Sequence, residues 1–148
     1  MTTRERLLGK DHPEVADALN SLGHIYRTQG KLDEAKALYD RSRAILTEAF
    51  GLEHPRLANA YTSLGAYYTD LGDAAAAVEA YAKALAIKEK ELGPTHADVG
   101  QALSNLAMAE EAVGQLDRAR QLGERSLHIL EGTFGTDHAL IAVTASNL

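Results

Sequence analysis

The chain has 148 residues, 45% hydrophobic and 24% charged, proportions that suit one globular domain with a buried core and exclude a disordered tail. Fifteen Lys and Arg stand against 21 Asp and Glu for a net charge of −6, with no Lys/Arg block, so the basic footprint of a nucleic-acid binder is missing. The lack of cysteine excludes a disulfide framework, a zinc–thiolate centre and a cysteine nucleophile.

The opening Met1-Thr2-Thr3-Arg4-Glu5-Arg6 has no apolar run behind it, so neither a signal peptide nor a transmembrane helix is expected and the location is read as cytoplasmic. Arg4 to Leu8 match the last turn of a helix. Asp11-His12-Pro13 then opens a new one, since proline suits the first helical position and an acid just ahead of it is expected to cap the free N–H groups. Val15, Ala18, Leu19, Leu22 and Tyr26 keep helical spacing as far as Gln29-Gly30, a C-terminal stop. This predicts a first helix, A, over about 13–29. A second, B, is predicted over about 32–50, its apolar face carrying Leu32, Ala35, Leu38, Tyr39, Ser42, Ile45 and Leu46. Asp33 and Glu34 sit near its positive N-terminal dipole. Glu53-His54-Pro55 restarts the pattern, giving helices over about 55–71 and 74–92, and Thr95-His96-Ala97 restarts it again, giving about 97–113 and 116–134. A truncated helix A follows from about residue 139. No strand-type alternation interrupts the pattern, so the fold class is all-α.

The restarts are a true repeat. Gly9, Gly51, Gly93 and Gly135 fall 42 residues apart, and His12/His54/His96/His138, Leu22/Leu64/Leu106/Leu148, Gly30/Gly72/Gly114 and Ala35/Ala77/Ala119 keep the same register. The single domain 1–148 thus divides into the end of a partial repeat (1–8), repeats at 9–50, 51–92 and 93–134, and a truncated fourth at 135–148. Gly23, Gly65 and Ala107 are expected to let helix A approach Ala35, Ala77 and Ala119 of helix B, with Tyr39 and Tyr81 filling the space between neighbouring repeats. The third repeat has Gly123 at that place and is expected to pack most loosely.

Leu22-Gly23-x-x-Tyr26, Gly30, Ala35 and Tyr39, repeated as Leu64-Gly65-x-x-Tyr68, Gly72, Ala77 and Tyr81, resemble the tetratricopeptide repeat. The long period, with Leu8-Gly9-Lys10-Asp11-His12-Pro13 and Phe50-Gly51-Leu52-Glu53-His54-Pro55 between repeats, is similar to the variety found in kinesin light chains and many bacterial multidomain regulators. The third repeat departs from the pattern at Ala107, Glu110 and Gly123. The resemblance implies a right-handed α-solenoid whose A helices line a concave groove that binds peptides or partner proteins.

Carried onto this sequence, the groove positions are Asp17, Asn20, Ser21, His24 and Arg27 in the first repeat. The second supplies Asn59, Thr62, Ser63, Ala66 and Thr69, and the third Gln101, Ser104, Asn105, Met108 and Glu111. Two adjacent positions are polar each time, Asn20-Ser21, Thr62-Ser63, Ser104-Asn105 and Ser146-Asn147. Such a ladder suits an extended peptide, because an amide offers both a donor and an acceptor to its backbone; the alternative is that one member of each pair bonds neighbouring helices or water. Helical spacing also puts His24 and Arg27 beside Asp17, where they are placed to meet a carboxylate of a ligand. The family's clamp for chaperone C-terminal tails is not reproduced, since Gln101, Ser104 and Asn105 stand where it needs basic residues.

Histidines at equivalent positions of a solenoid are about 10 Å apart, too far to share an ion, so no metal site is expected and they are assigned to organising the start of helix A. There is no HExxH, no nucleophile turn motif and no glycine upstream of Gly9-Lys10, so neither catalysis nor a cofactor is expected. Ala74-Ala75-Ala76-Ala77 and Lys88-Glu89-Lys90-Glu91 read as a strong helix former and a solvated face. The partners expected are therefore a peptide or protein segment, with no nucleic acid and no membrane. A second reading is self-assembly, because both ends of the solenoid look uncapped and Leu140, Ile141 and Leu148 would be the residues that control it.

Overall fold

The computed structural model describes residues 12–134. Six α-helices and no strand lie among them: α1 (Pro13–Thr28), α2 (Leu32–Phe50), α3 (Pro55–Leu71), α4 (Ala74–Leu92), α5 (Ala97–Ala112) and α6 (Leu116–Phe134). Each bound agrees with the sequence expectation to within a residue. Packing is mainly sequential, with α1 on α2, α3 on α4 and α5 on α6 inside the repeats and α2 on α3 and α4 on α5 between them, and α1 also touches α3. That is an all-α solenoid of stacked helix pairs. The partial repeat, the fourth repeat, His138, Ser146-Asn147, Leu140, Ile141 and Leu148 lie outside the described residues.

The start of each A helix differs from the expectation in one respect. The cap is the histidine itself. Nδ1 of His12, His54 and His96 accepts a hydrogen bond from the backbone N–H two residues on, in Glu14, Arg56 and Asp98, at 3.2, 3.2 and 3.0 Å. The extended backbone of these residues brings the ring back over the first turn. The acid expected to do this work in the second repeat, Glu53, instead accepts from Lys90 Nζ at 2.6 Å, and Asp11 lies outside the described residues. At the other end of each A helix the backbone turns at Gly30, Gly72 and Gly114. Gly72, at φ 86°, is in the left-handed region that a side chain disfavours. The residue after each glycine donates back to the A helix, Lys31 to Tyr26, Asp73 to Tyr68 and Gln115 to Glu110, all at 2.9 Å.

The buried core falls into two clusters, one through Val15, Leu19, Tyr39, Leu46, Leu57 and Leu64 and one through Tyr81, Leu103 and Leu106, with the partly buried Tyr68 packed against both. The small residues serve a different partner from the one expected. A Cβ on Gly23 would meet Cε1 of Tyr39 at 2.6 Å, and one on Gly65 would meet Cε1 of Tyr81 at 2.5 Å. The glycines therefore make room for the tyrosine of their own repeat. A second close approach lies two turns nearer the A-helix start, where buried Ser42 donates to the Ala16 carbonyl at 2.8 Å and buried Ser126 to the Gly100 carbonyl at 2.6 Å. In the middle repeat the same place holds Ala58 and Ala84, both buried.

The third repeat replaces an aromatic by a charge. Glu110 stands in the column of Tyr26 and Tyr68, its side chain only 6% exposed, and accepts from Arg118 Nε at 2.6 Å. A buried carboxylate must be paired to be tolerated, and α6 supplies the pair.

Candidate functional site

The sequence-predicted groove residues all lie on α1, α3 and α5. Asn20, Ser21, His24, Asn59, Thr62 and Ser63 line one open depression at the junction of the first two repeats, together with Ile25. Thr69, Asn105 and Met108 line a second concavity at the next junction. Gln101 is exposed but lines neither depression, whereas Ser104 is buried and presents little to a ligand. Asp17 and Arg27 stand at the flanks, outside both depressions.

The ladder is not uniform chemically. Ser21, Thr62 and Thr69 donate their hydroxyls to the carbonyl four residues back, in Asp17, Ala58 and Gly65, at 3.1, 2.9 and 2.9 Å. Those donors are already used, and only acceptor lone pairs remain. Asn20 differs: its Oδ1 is shut off from solvent and accepts no hydrogen bond in the structure. An acceptor so enclosed is out of reach of a ligand in the depression, so what Asn20 can offer there is the rest of its amide.

The charges expected to act together are divided between two inter-repeat ion pairs. Asp17 meets Arg56 at 3.1 Å, and Arg27 meets Asp70 at 2.6 Å with its own side chain 18% exposed. Burial works against the Arg27 charge, but the hydrogen bond and the charge of Asp70 outweigh it and hold the guanidinium above its ordinary range. His24 is exposed and lies 3.4 Å from an Arg27 Nη2 through its Nδ1. Both cations at this junction are thus bound to carboxylates of the protein itself, which leaves the depression polar and close to neutral.

The second concavity has a different character. Its volume is about 260 Å³, and Thr69, Gly72, Ala74, Ala77, Tyr81, Asn105, Met108, Ala109 and Ala112 line it, without a charged residue. Sequence reasoning missed this lining except for Thr69, Asn105 and Met108. It also missed Ile25, Arg56 and Asp70. Comparing the two junctions column by column would have found the difference, since Thr69, Ala74, Ala109 and Ala112 stand where the first junction has Arg27, Leu32, Tyr67 and Asp70. Among the described residues no cluster of His, Asp and Glu is arranged to hold a metal ion, and no helix is long and apolar enough to cross a membrane.

The tetratricopeptide-repeat model matches residues 1–48, 14–90 and 56–131 in successive overlapping units, most of the chain. The chain belongs to the tetratricopeptide-repeat family. Among solved structures, a kinesin light chain of Podospora anserina with nearly identical repeats is 27% identical at a TM-score of 0.81, over 90% of this chain and 63% of that one. BtubC (BKLC) from P. vanneervenii is 25% identical, also at 0.81, over 89% of this chain and 53% of that one. The tetratricopeptide repeats here are therefore of the kinesin-light-chain-like kind, and the chain spans between half and two thirds of those relatives. The N-terminal domain of stress-induced protein-1 from C. elegans, at 21% identity and a TM-score of 0.67 over 91% of this chain and 95% of that one, shares the fold. No curated protein matches the chain. Tetratricopeptide repeats generally mediate protein–protein interaction and are generally non-enzymatic scaffolds.

Proposed function

We propose that the protein is a non-enzymatic scaffold that binds an extended peptide or protein segment along the groove formed by α1, α3 and α5. The observation that carries this reading is the open depression at the junction of the first two repeats, lined by the polar groove residues Asn20, Ser21, His24, Asn59, Thr62 and Ser63. A peptide backbone supplies donors and acceptors at regular spacing whatever its sequence, so a polar lining of this kind holds it without a specific side chain. The Arg27–Asp70 and Asp17–Arg56 pairs support the reading from the outside, because they brace the junction and leave its floor uncharged.

Selection of displayed peptides against the purified protein and against a variant with Asn20, Thr62 and Asn105 changed to Ala tests this. Enriched peptides that lose binding to the variant are expected. No enrichment, or binding indifferent to the three changes, would overturn the groove.

A further inference from the structure

The two junctions between successive A helices are built from equivalent positions, yet one is filled and the other is hollow. At the first, Arg27 and Asp70 close over the turn at 2.6 Å, Tyr67 is buried and Leu32 packs against the same core. At the second, Thr69, Ala112, Ala109 and Ala74 occupy those places. Each exchange removes side-chain volume, and none of the four is compensated from within the repeat. Two lining residues are larger than their counterparts, Asn105 in the column of Ser63 and Met108 in the column of Ala66, and Met108 remains 45% exposed at the rim. The result is the uncharged concavity of about 260 Å³ that opens on the groove.

Building on the groove reading above, we infer that this cup is an anchoring pocket for one large apolar side chain, aliphatic or aromatic, of a peptide lying in the groove. Three observations on the lining select that occupant. No charged residue borders the space, so a charged side chain entering it would lose hydration without a partner. The Thr69 hydroxyl is already committed to the Gly65 carbonyl, so the wall offers few donors. The volume exceeds the roughly 150 Å³ that holds a benzene ring in an engineered apolar cavity, so a phenyl ring or a leucine side chain fits. Asn105, on the same wall and half-buried, has an amide available to the backbone of the anchored residue.

The geometry also fixes a spacing. Neighbouring A helices are about 10 Å apart, and an extended chain advances about 3.3 Å per residue. The anchored residue and the backbone segment that meets Asn20 and Thr62 therefore stand about three to six residues apart, according to which part of the first depression is used. An occupant of this chemistry is a short segment with one bulky apolar residue and an otherwise unconstrained neighbouring stretch.

The test is an NMR titration of the protein with N-acetyl-leucinamide and N-acetyl-phenylalaninamide, with N-acetyl-glycinamide and N-acetyl-lysinamide as controls. The apolar probes are expected to shift the Met108 methyl and the Ala109 and Ala112 signals saturably, with at least tenfold weaker effects from the controls. Two variants fill the cup, Thr69→Arg/Ala109→Tyr/Ala112→Asp, which imports the side chains of the first junction, and the single Ala112→Leu. A folded filled variant is expected to lose the apolar response at least tenfold, and the single change keeps the test decisive if the triple one does not fold. Equal response to all four probes, or shifts centred on the Asn20 depression, would overturn the pocket. The groove reading fails separately: selected peptides that need Asn20 and Thr62 but carry no bulky apolar residue would sink the pocket and leave the groove. A saturable Met108 response with no peptide enriched would do the reverse.

Discussion

The ring of Tyr81 lies where a side chain on Gly65 would begin, with Cε1 2.5 Å from the position a Cβ would take. Glycine is required there by contact, since the helix around it has ordinary backbone angles. Gly65→Ala is therefore expected to destabilise the fold by about 1–3 kcal/mol through overpacking. Urea unfolding checks it, and Gly65→Ala/Tyr81→Gly, which copies the Ala107 and Gly123 of the third repeat, should show strong non-additivity with the two single changes.

Removal of one histidine cap should be felt at one junction. His54→Ala is expected to cost about 1 kcal/mol, and His54→Asn markedly less because asparagine caps well. Thermal unfolding of the two variants compares them. Equal losses would mean that the stacking of His54 on Phe50, ring centroids 4.0 Å apart, matters more than the bond to Arg56.

Arg118→Ala should leave the Glu110 carboxylate buried without its partner. A cost of about 1–3 kcal/mol is expected, towards the low end because the Arg118 side chain is 59% exposed. Glu110→Gln in the same background should restore part of the loss, since an amide needs no counter-charge. A double-mutant cycle in urea measures the coupling, and a cycle that closes with no coupling energy would show the pair to be idle.

Stability should fall on the alkaline side. Burial holds the phenols of Tyr39 and Tyr81 above their ordinary value near 10. Below that value both rings are neutral in the folded and unfolded chains and the native state keeps its full advantage. As pH rises past it the unfolded phenols ionise first, so stability is lost. The bond to Asp40 raises Lys36 as well, and its contribution disappears in the same direction. The urea midpoint at about pH 10.5 should lie below that at about pH 8, and Tyr39→Phe/Tyr81→Phe should shrink the difference.

The helices were legible because the apolar period, the Pro at the start of two A helices and the Gly at each turn are local signals that tertiary packing here reinforces. The A-helix positions proposed for the groove follow from the same signals, once those helices are placed. What escaped was every relationship that crosses repeats. Arg27 and Asp70 are 43 residues apart, one more than the repeat period, so a column-wise comparison of equivalent positions does not put them side by side. The hollow second junction is written in the columns of Arg27, Leu32, Tyr67 and Asp70, but its meaning emerges only once those columns are known to meet across two repeats. The histidine cap was obscured by a stronger stereotype, the acid beside it. The Tyr81 ring does border the space between repeats, as the spacing suggested, but its closest approach, to Gly65 of its own repeat, could not be read from spacing alone.

The capping geometry of His12, His54 and His96 has a use that is independent of any ligand. A ring that accepts through Nδ1 must carry its proton on Nε2, so each folded junction imposes one tautomer on one imidazole. The nitrogen-15 resonances of the three side chains form a set of internal reporters, one at each A-helix start. Followed during gradual unfolding, they would tell whether the array opens from one end, from the other, or all at once.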